Sequence, residues 1–266
     1  MNDTKPLALV TGASSGIGFE LARQLAERGY DLVVNAEDDT RLQQAAQRIR
    51  TAGTRVEVVR ADLRDPDQTE RLFAAATALG RPLDVVVLNA GVGQGGAFVD
   101  TDLADELEII DLNVRSTVHL AKLVLRDMAA RDEGRVLVTS SIASTVPGSF
   151  QAVYNASKSF LQSFTEALRN EFEDTGVTLT SLMPGPTETD FFHRADMDDT
   201  KIGRQDKDEP AQVARQGLDA LFAGKGKIVA GSVRTRAQAA ANRMLPDSLK
   251  AEAHRRMAEP GSGDEG

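Results

Sequence analysis

Three side chains in this sequence have the types and spacing to do chemistry: Ser141, Tyr154 and Lys158. Tyr154-Asn155-Ala156-Ser157-Lys158 opens an expected helix, and residues four apart on a helix share a face at about 6 Å. An apolar run, Val136–Val138, comes before it and exits through Thr139-Ser140-Ser141, so a strand delivers a hydroxyl beside a phenol and an ammonium. A free tyrosine titrates at about 10. A nearby ammonium favours the phenolate and lowers that value, toward the range where general acid–base catalysis is efficient. A serine hydroxyl donates and accepts, so it can hold a ketone or an alcohol oxygen while the bond order changes. Taken alone, an amphipathic helix with an incidental Tyr–Lys pair reads equally well. What decides between the two lies upstream.

The elements that must position these groups follow in order. Leu7–Val10 is a short apolar strand, followed by Thr11-Gly12-Ala13-Ser14-Ser15-Gly16-Ile17-Gly18 and a helical pattern that ends near Gly29. Strand, glycine-rich turn and helix form the context of a dinucleotide-binding fingerprint. Glycines let the backbone approach a pyrophosphate, and a helix N-terminus offers unpaired N–H groups. No Lys-Ser or Lys-Thr follows the turn, which excludes a Walker A loop, although an ordinary tight turn would also use glycines.

Strands are then expected at Asp31–Asn35, Val56–Val59, Leu83–Leu88, Val136–Val138, Val177–Leu182 and Lys227–Ala230. Helices are expected at Thr40–Ala52, Asp67–Leu79, Asp105–Ala130, from Tyr154 to about Asp174, and at Ala211–Phe222. This alternation predicts one doubly wound α/β domain over residues 1–258, with seven parallel strands and helices on both faces. Asn113 falls among apolar neighbours inside a long helix, where propensity disfavours it. A tie to a neighbouring loop and a role in the chemistry are both open explanations. Residues 190–209 are charged and aperiodic, as lids and binding loops often are. Residues 233–258 read as a helical extension broken at Pro246, and residues 259–266 as a flexible tail.

Composition narrows the class. Forty acidic against thirty-one basic residues give a net charge of −9, which opposes a nucleic-acid-binding footprint. No apolar run is long enough to span a membrane. With no cysteine there is no disulfide or thiolate site, and His119, His193 and His254 are too scattered for a metal centre, so each is expected at a surface or boundary. The first residues lack the pattern of a secretory signal, so a cytoplasmic location is expected.

Together, Thr11-Gly12-x-x-x-Gly16-x-Gly18, Asn89-Ala90-Gly91, Asn113, Ser141, Tyr154-x-x-x-Lys158 and Pro184-Gly185-x-x-x-Thr189 resemble the short-chain dehydrogenase/reductase superfamily over residues 5–232. The resemblance implies a Rossmann-type fold and an NAD(P)-dependent oxidoreductase that interconverts a ketone or aldehyde with its alcohol. It places Gly12, Ser14, Ser15, Gly16, Ile17 and Gly18 beneath the pyrophosphate. Ala36 and Glu37 would lie at the adenosine ribose, and Asp62 and Leu63 at the adenine. Asn89, Ala90 and Gly91 would flank the cofactor, and Pro184, Gly185, Thr187 and Thr189 would hold the carboxamide end of the nicotinamide. Tyr154 would exchange the proton, Lys158 would bridge to the ribose, and Ser141 rather than Ser140 would hold the substrate oxygen. Asn113 would stabilise a water leading to Lys158. No metal is required.

In the family, an acid at the place of Ala36 selects NAD. Its absence here favours NADP, with Arg41 or Arg60 as candidates to meet the phosphate, although Glu37 could instead contact a ribose diol and favour NAD. Val92–Ala97, Ile142–Phe150 and Thr187–Met197 would surround a largely apolar substrate. The resemblance also implies a homodimer or homotetramer through the helices at 105–130 and 153–174, with Leu161, Phe164, Leu168 and Phe172 available for it. The basic C-terminal helices, with Arg234, Arg236, Arg243, Lys250, Arg255 and Arg256, could cover a neighbour or cap the cleft, and no membrane contact is expected. Rival readings are a cofactor-binding regulatory or scaffold protein, and an epimerase or dehydratase, for which the C-terminal region is short.

Overall fold

The computed structural model describes residues 5–50, 53–242 and 244–264. Thr51 and Ala52 at the end of the second expected helix, Arg243, and the last two residues of the tail lie outside that set. The order is β1 (Leu7–Thr11), α1 (Gly16–Glu27), β2 (Asp31–Ala36), α2 (Asp39–Arg50), β3 (Val56–Arg60), α3 (Pro66–Thr77), β4 (Val85–Leu88) and α4 (Leu103–Ile109). There follow α5 (Ser116–Arg131), β5 (Gly134–Thr139), α6 (Ala152–Glu171), β6 (Val177–Pro184), α7 (Phe191–Arg194) and α8 (Lys201–Arg204). The chain closes with α9 (Pro210–Phe222), β7 (Lys227–Ala230), α10 (Val233–Asn242) and α11 (Asp247–Ala258).

The seven strands are all parallel in the order β3-β2-β1-β4-β5-β6-β7. Strands such as Val85–Leu88 are apolar throughout because helices cover both faces. Alternate residues feed two cores. Ala8 and Val10 meet Leu21, Leu25 and Leu42 of α1 and α2 and Leu218 of α9 on one side. Leu7 and Leu9 share the other side with Leu72 of α3, Val124 of α5 and Leu161 of α6. The chain reverses its winding between β1 and β4, and in such sheets the crevice at the carboxyl ends of the strands is the binding place.

Three segments differ from expectation. The helix expected at 105–130 is interrupted by a π-helical stretch, Ile110–Arg115, which carries Asn113. Insertions of this kind widen a helix by one residue and leave its apolar periodicity nearly unchanged. Residues 190–209 are not structureless. They hold α7 and α8, and Phe192, Ala195 and Met197 form a small core with Ala258 of α11. Residues 259–264, expected to be free, are tied to this segment: Gly261 N–H donates to Asp199 Oδ2 (2.7 Å), Gly263 N–H to Asp199 O (2.8 Å), and Lys201 N–H to Ser262 Oγ (3.1 Å).

Candidate active site

One cleft at the carboxyl ends of the strands, with about 1610 Å³ of free space counted out to its open mouth, is lined by Gly12, Ser14, Ser15, Gly16, Ile17, Gly18, Ala36, Glu37, Asp62, Leu63, Asn89, Ala90, Gly91, Ser141, Tyr154, Lys158, Pro184, Gly185, Thr187 and Thr189. Every catalytic and cofactor-binding residue expected from the motifs is therefore on its wall except Asn113, whose neighbour Leu112 lines it instead; Arg41 and Arg60, the candidates to meet a phosphate, are not on it.

The glycine turn fits a phosphate-bearing ligand. Gly12 and Gly16 have φ of 66° and 55°, a region in which side chains are strained. A Cβ on Gly18 would stand 2.1 Å from the Gly12 carbonyl oxygen, so only glycine lets α1 begin this close to β1. Ser15 caps α1 without a side-chain hydrogen bond, and no acid occupies the first turn. The first N–H groups thus face the cleft with the positive end of the helix dipole.

Asn89 ties the strand ends together. Its Nδ2 donates to Thr11 O (3.2 Å), its N–H donates to Thr11 Oγ1 (2.9 Å), and its Oδ1 accepts from Thr139 Oγ1 (3.1 Å). Asn113 is fully buried and clamps the Gly-rich loop: Oδ1 accepts from Val92 N–H (2.9 Å), while Nδ2 donates to Val92 O (2.9 Å) and Ser157 Oγ (3.0 Å). That is the loop tie a mid-helix asparagine required.

Ser141 sits at the exit of β5, where its Oγ accepts from Ala143 N–H (3.1 Å) and donates to Pro184 O (3.4 Å). Ser140 is turned away, its hydroxyl donating to Lys158 O (3.0 Å). Phe191 of α7 covers the Tyr154 ring, with centroids 5.2 Å apart and planes tilted by 48°. Burial pushes the phenol up to about 12, against a smaller opposing effect of its hydrogen bond with Ser141. Lys158 is buried and pushed down to about 8 by that burial, and its Nζ donates to Thr139 O (3.1 Å). The expected lowering of the tyrosine by the ammonium is therefore not what this geometry produces. The cation lies 5.7 Å from the ring centroid and is bonded elsewhere, and desolvation dominates.

At the end of the cleft beside Glu37 and Asp62, Arg64 pairs with Glu37, with Asp62 (2.9 Å) and with Glu108 (2.7 Å). Arg41 pairs with Asp190, and Arg60 donates from Nε to the Glu37 carbonyl (3.1 Å). None of these three arginines lines the cleft, whereas Glu37 and Asp62 do.

At the other end, Arg194 falls in the expected Thr187–Met197 stretch, while sequence reasoning missed Gln151, Gln238, Asn242 and His254, all on the wall. His254 had been expected at a surface or boundary. No spacing pattern marks these residues, because their neighbours in the cleft are distant in sequence.

Comparison with known proteins decides the family. The profile described as short chain dehydrogenase matches residues 6–200. The chain belongs to that family. As a member it is an NAD(P)-dependent oxidoreductase. It is 39% identical over 197 residues to the granaticin polyketide synthase putative ketoacyl reductase 1 of Streptomyces violaceoruber, covering 71% of each chain. It is 32% identical over 182 residues to the ketoacyl reductase HetN of Nostoc sp., covering 68% of this chain and 63% of that one. A short-chain dehydrogenase/reductase from Burkholderia phymatum in complex with NAD superposes with TM-score 0.82 at 24% identity, over 98% of this chain and 99% of the other. A short-chain dehydrogenase from Sphingobium yanoikuyae in complex with NADPH superposes with TM-score 0.77 at 28% identity, over 90% and 94%.

Proposed function

We propose that this short-chain dehydrogenase reduces the carbonyl of a largely apolar ketone or aldehyde to the alcohol, with Tyr154 as proton donor. The observation that carries this reading is the meeting of Ser141, Tyr154 and Lys158 in the same cleft as the uncapped N-terminus of α1. When bound, the nicotinamide supplies the hydride. Ser141, held by Ala143 N–H, presents its hydroxyl to the substrate oxygen. The Tyr154 phenol, protonated at neutral pH because it titrates at about 12, gives up its proton as charge develops on that oxygen. Lys158 stands behind the tyrosine, its Nζ 5.7 Å from the ring centroid, and Asn113 holds the loop at Val92 in place.

Val92, Ile142, Val146, Phe191, Phe192 and Ile202 give the substrate end its apolar character. The names of the relatives, ketoacyl reductases, support a 3-oxoacyl or similar ketone as the substrate class. Residues 190–209 act as a lid, Phe191 lying over Tyr154.

For the cofactor, the missing acid at Ala36 favours NADP, while the geometry adds weight to NAD. Glu37 lines the cleft while Arg41, Arg60 and Arg64 do not; Arg64 is shared among Glu37, Asp62 and Glu108, and Arg41 pairs with Asp190. A carboxylate accepts from a ribose diol and repels a phosphate dianion. On this balance NAD is the proposed cofactor. A fluorescence titration with NADH and NADPH tests it, and tighter binding of NADPH would reverse the assignment. The protein is proposed to work as a homo-oligomer.

The test of the chemistry is an initial-rate screen of graded ketones with both cofactors, in the parent and in Tyr154→Phe. Turnover is expected in the parent and a loss of roughly 10²-fold or more in the variant, with NADH affinity retained. Equal rates in the two proteins would refute the proton donor. Cofactor binding without turnover of any ketone would point to a regulatory or scaffold protein instead.

A further inference from the structure

Three polar side chains on the cleft wall have no part in the chemistry proposed above: Gln238 and Asn242 on α10, and His254 on α11. All lie beyond residue 200, where the family match ends. Gln238 and Asn242, four apart on one helix face, have no side-chain partner among the described residues. His254 is half-buried, and its Nδ1 is 3.0 Å from the Ser149 carbonyl oxygen. A carbonyl oxygen can only accept, so Nδ1 carries the proton. Burial holds the ring below the usual histidine range, against the smaller raising effect of that bond, which keeps it neutral. Nε2 is then a lone-pair acceptor, and no described residue bonds to it.

The ring is held by more than one contact. Ser149 Oγ donates to Ala251 O (3.3 Å), and the Arg255 guanidinium lies 5.8 Å from the Phe150 ring centroid. Phe150 takes a left-handed backbone, φ 62°, and its carbonyl accepts from Gly96 N–H (3.0 Å). The loop leading from Ser141 to Tyr154 and the C-terminal helix α11 thus fix the imidazole between them. The substrate end of this cleft mixes an apolar wall with Gln151, Arg194, Gln238 and Asn242, and His254 is set apart from these by its fixed ring, so its oriented acceptor discriminates. A ligand with a matching donor gains a hydrogen bond, and one without it buries the acceptor unpaired.

We propose that His254 is a specificity residue: its Nε2 accepts a hydrogen bond from a hydroxyl that the substrate carries away from the reacting carbonyl, so that the preferred substrate is a hydroxylated ketone. This rests on the carbonyl-reducing reading of the same cleft.

The test uses the full chain and a ladder of 2-alkanones of graded length, each paired with the ω-hydroxy-2-alkanone of equal heavy-atom count. At the length that brings the hydroxyl to Nε2, kcat/KM for the hydroxy ketone is expected to exceed that of its partner roughly fivefold to tenfold. His254→Phe should bring that ratio to about one, and His254→Gln, which keeps an acceptor, should restore part of it. Binding of NADH by each variant shows that the cleft has folded. If His254→Phe fails that check, His254→Ala gives the same ratio. Turnover of plain ketones with no length at which the hydroxyl helps would overturn the assignment, as would a preference that survives in His254→Phe. Failure to turn over any ketone would remove the carbonyl-reducing reading, and this inference with it.

Discussion

At Lys158 the folded protein holds a cation almost out of water, with one hydrogen bond, to Thr139 O, to offset the loss of hydration. Its titration falls from the ordinary 10.5 to about 8, so the folded state gives up this proton more readily than the unfolded chain does. Between those values the unfolded chain carries a proton that the folded chain has released, and stability rises with pH across that window. Below about 8 the buried charge costs its full amount. Lys158→Met is therefore expected to raise stability near neutral pH by on the order of 1–2 kcal/mol. The gain should shrink as pH approaches 10.5, while turnover is lost. Thermal melts of the two proteins near neutrality and at alkaline pH check this. A variant that melts lower than the parent at neutral pH would contradict it.

Among the elements, α7 and α8 are too short to be stable alone. They owe their order to the packing of Phe192 and Met197 against Ala258, and to the three hydrogen bonds from residues 261–263. Deleting residues 259–266 removes those bonds and leaves the apolar contacts. Amide exchange around Thr200–Arg204 is expected to speed up about tenfold or more, with β1 and β4 unchanged. Unaltered exchange there would mean that the C-terminal segment does not brace the lid.

This dependence on distant partners also explains what the sequence could and could not reveal. Strands such as Val85–Leu88 were legible because burial on both faces leaves only apolar residues. The glycine turn and the Tyr154–Lys158 pair were legible because each is a local spacing with a local reason. The π-helical stretch around Asn113 was not, since one extra residue scarcely disturbs a helical pattern. Order in residues 190–204 comes from contacts with residues 258–263, and the place of His254 comes from a carbonyl 105 residues earlier. Neither leaves a periodic trace.

For the whole molecule, two cores account for the apolar faces of most helices, and they also absorb the stripe expected to mediate self-association. Leu161 is buried in the core that includes α5, and Phe164, Leu168 and Phe172 pack against it. What remains uncovered is a different row. Leu103 is 67% exposed, Leu107 48% and Ile110 43%, at spacings of four and three residues that set them on one face, with Phe98, Val99 and Phe160 also exposed. Phe160 stacks on Phe164 of the same helix, with centroids 5.7 Å apart. Single exposed apolar residues are ordinary, but a row of them reads as a surface meant to be covered. A second copy of the chain, related by a two-fold axis, would cover such a row with itself, as the proposed homo-oligomer requires. Burying each leucine contributes roughly 1.5–3 kcal/mol, so the combined Leu103→Lys and Leu107→Lys substitutions should weaken the dimer by about 100-fold or more. Neither leucine lines the cleft, so NADH binding should persist. Sedimentation velocity at micromolar protein decides the matter. The parent should sediment as a dimer or larger and the double variant as a monomer, and a monomeric parent would show that this row faces water in the working enzyme.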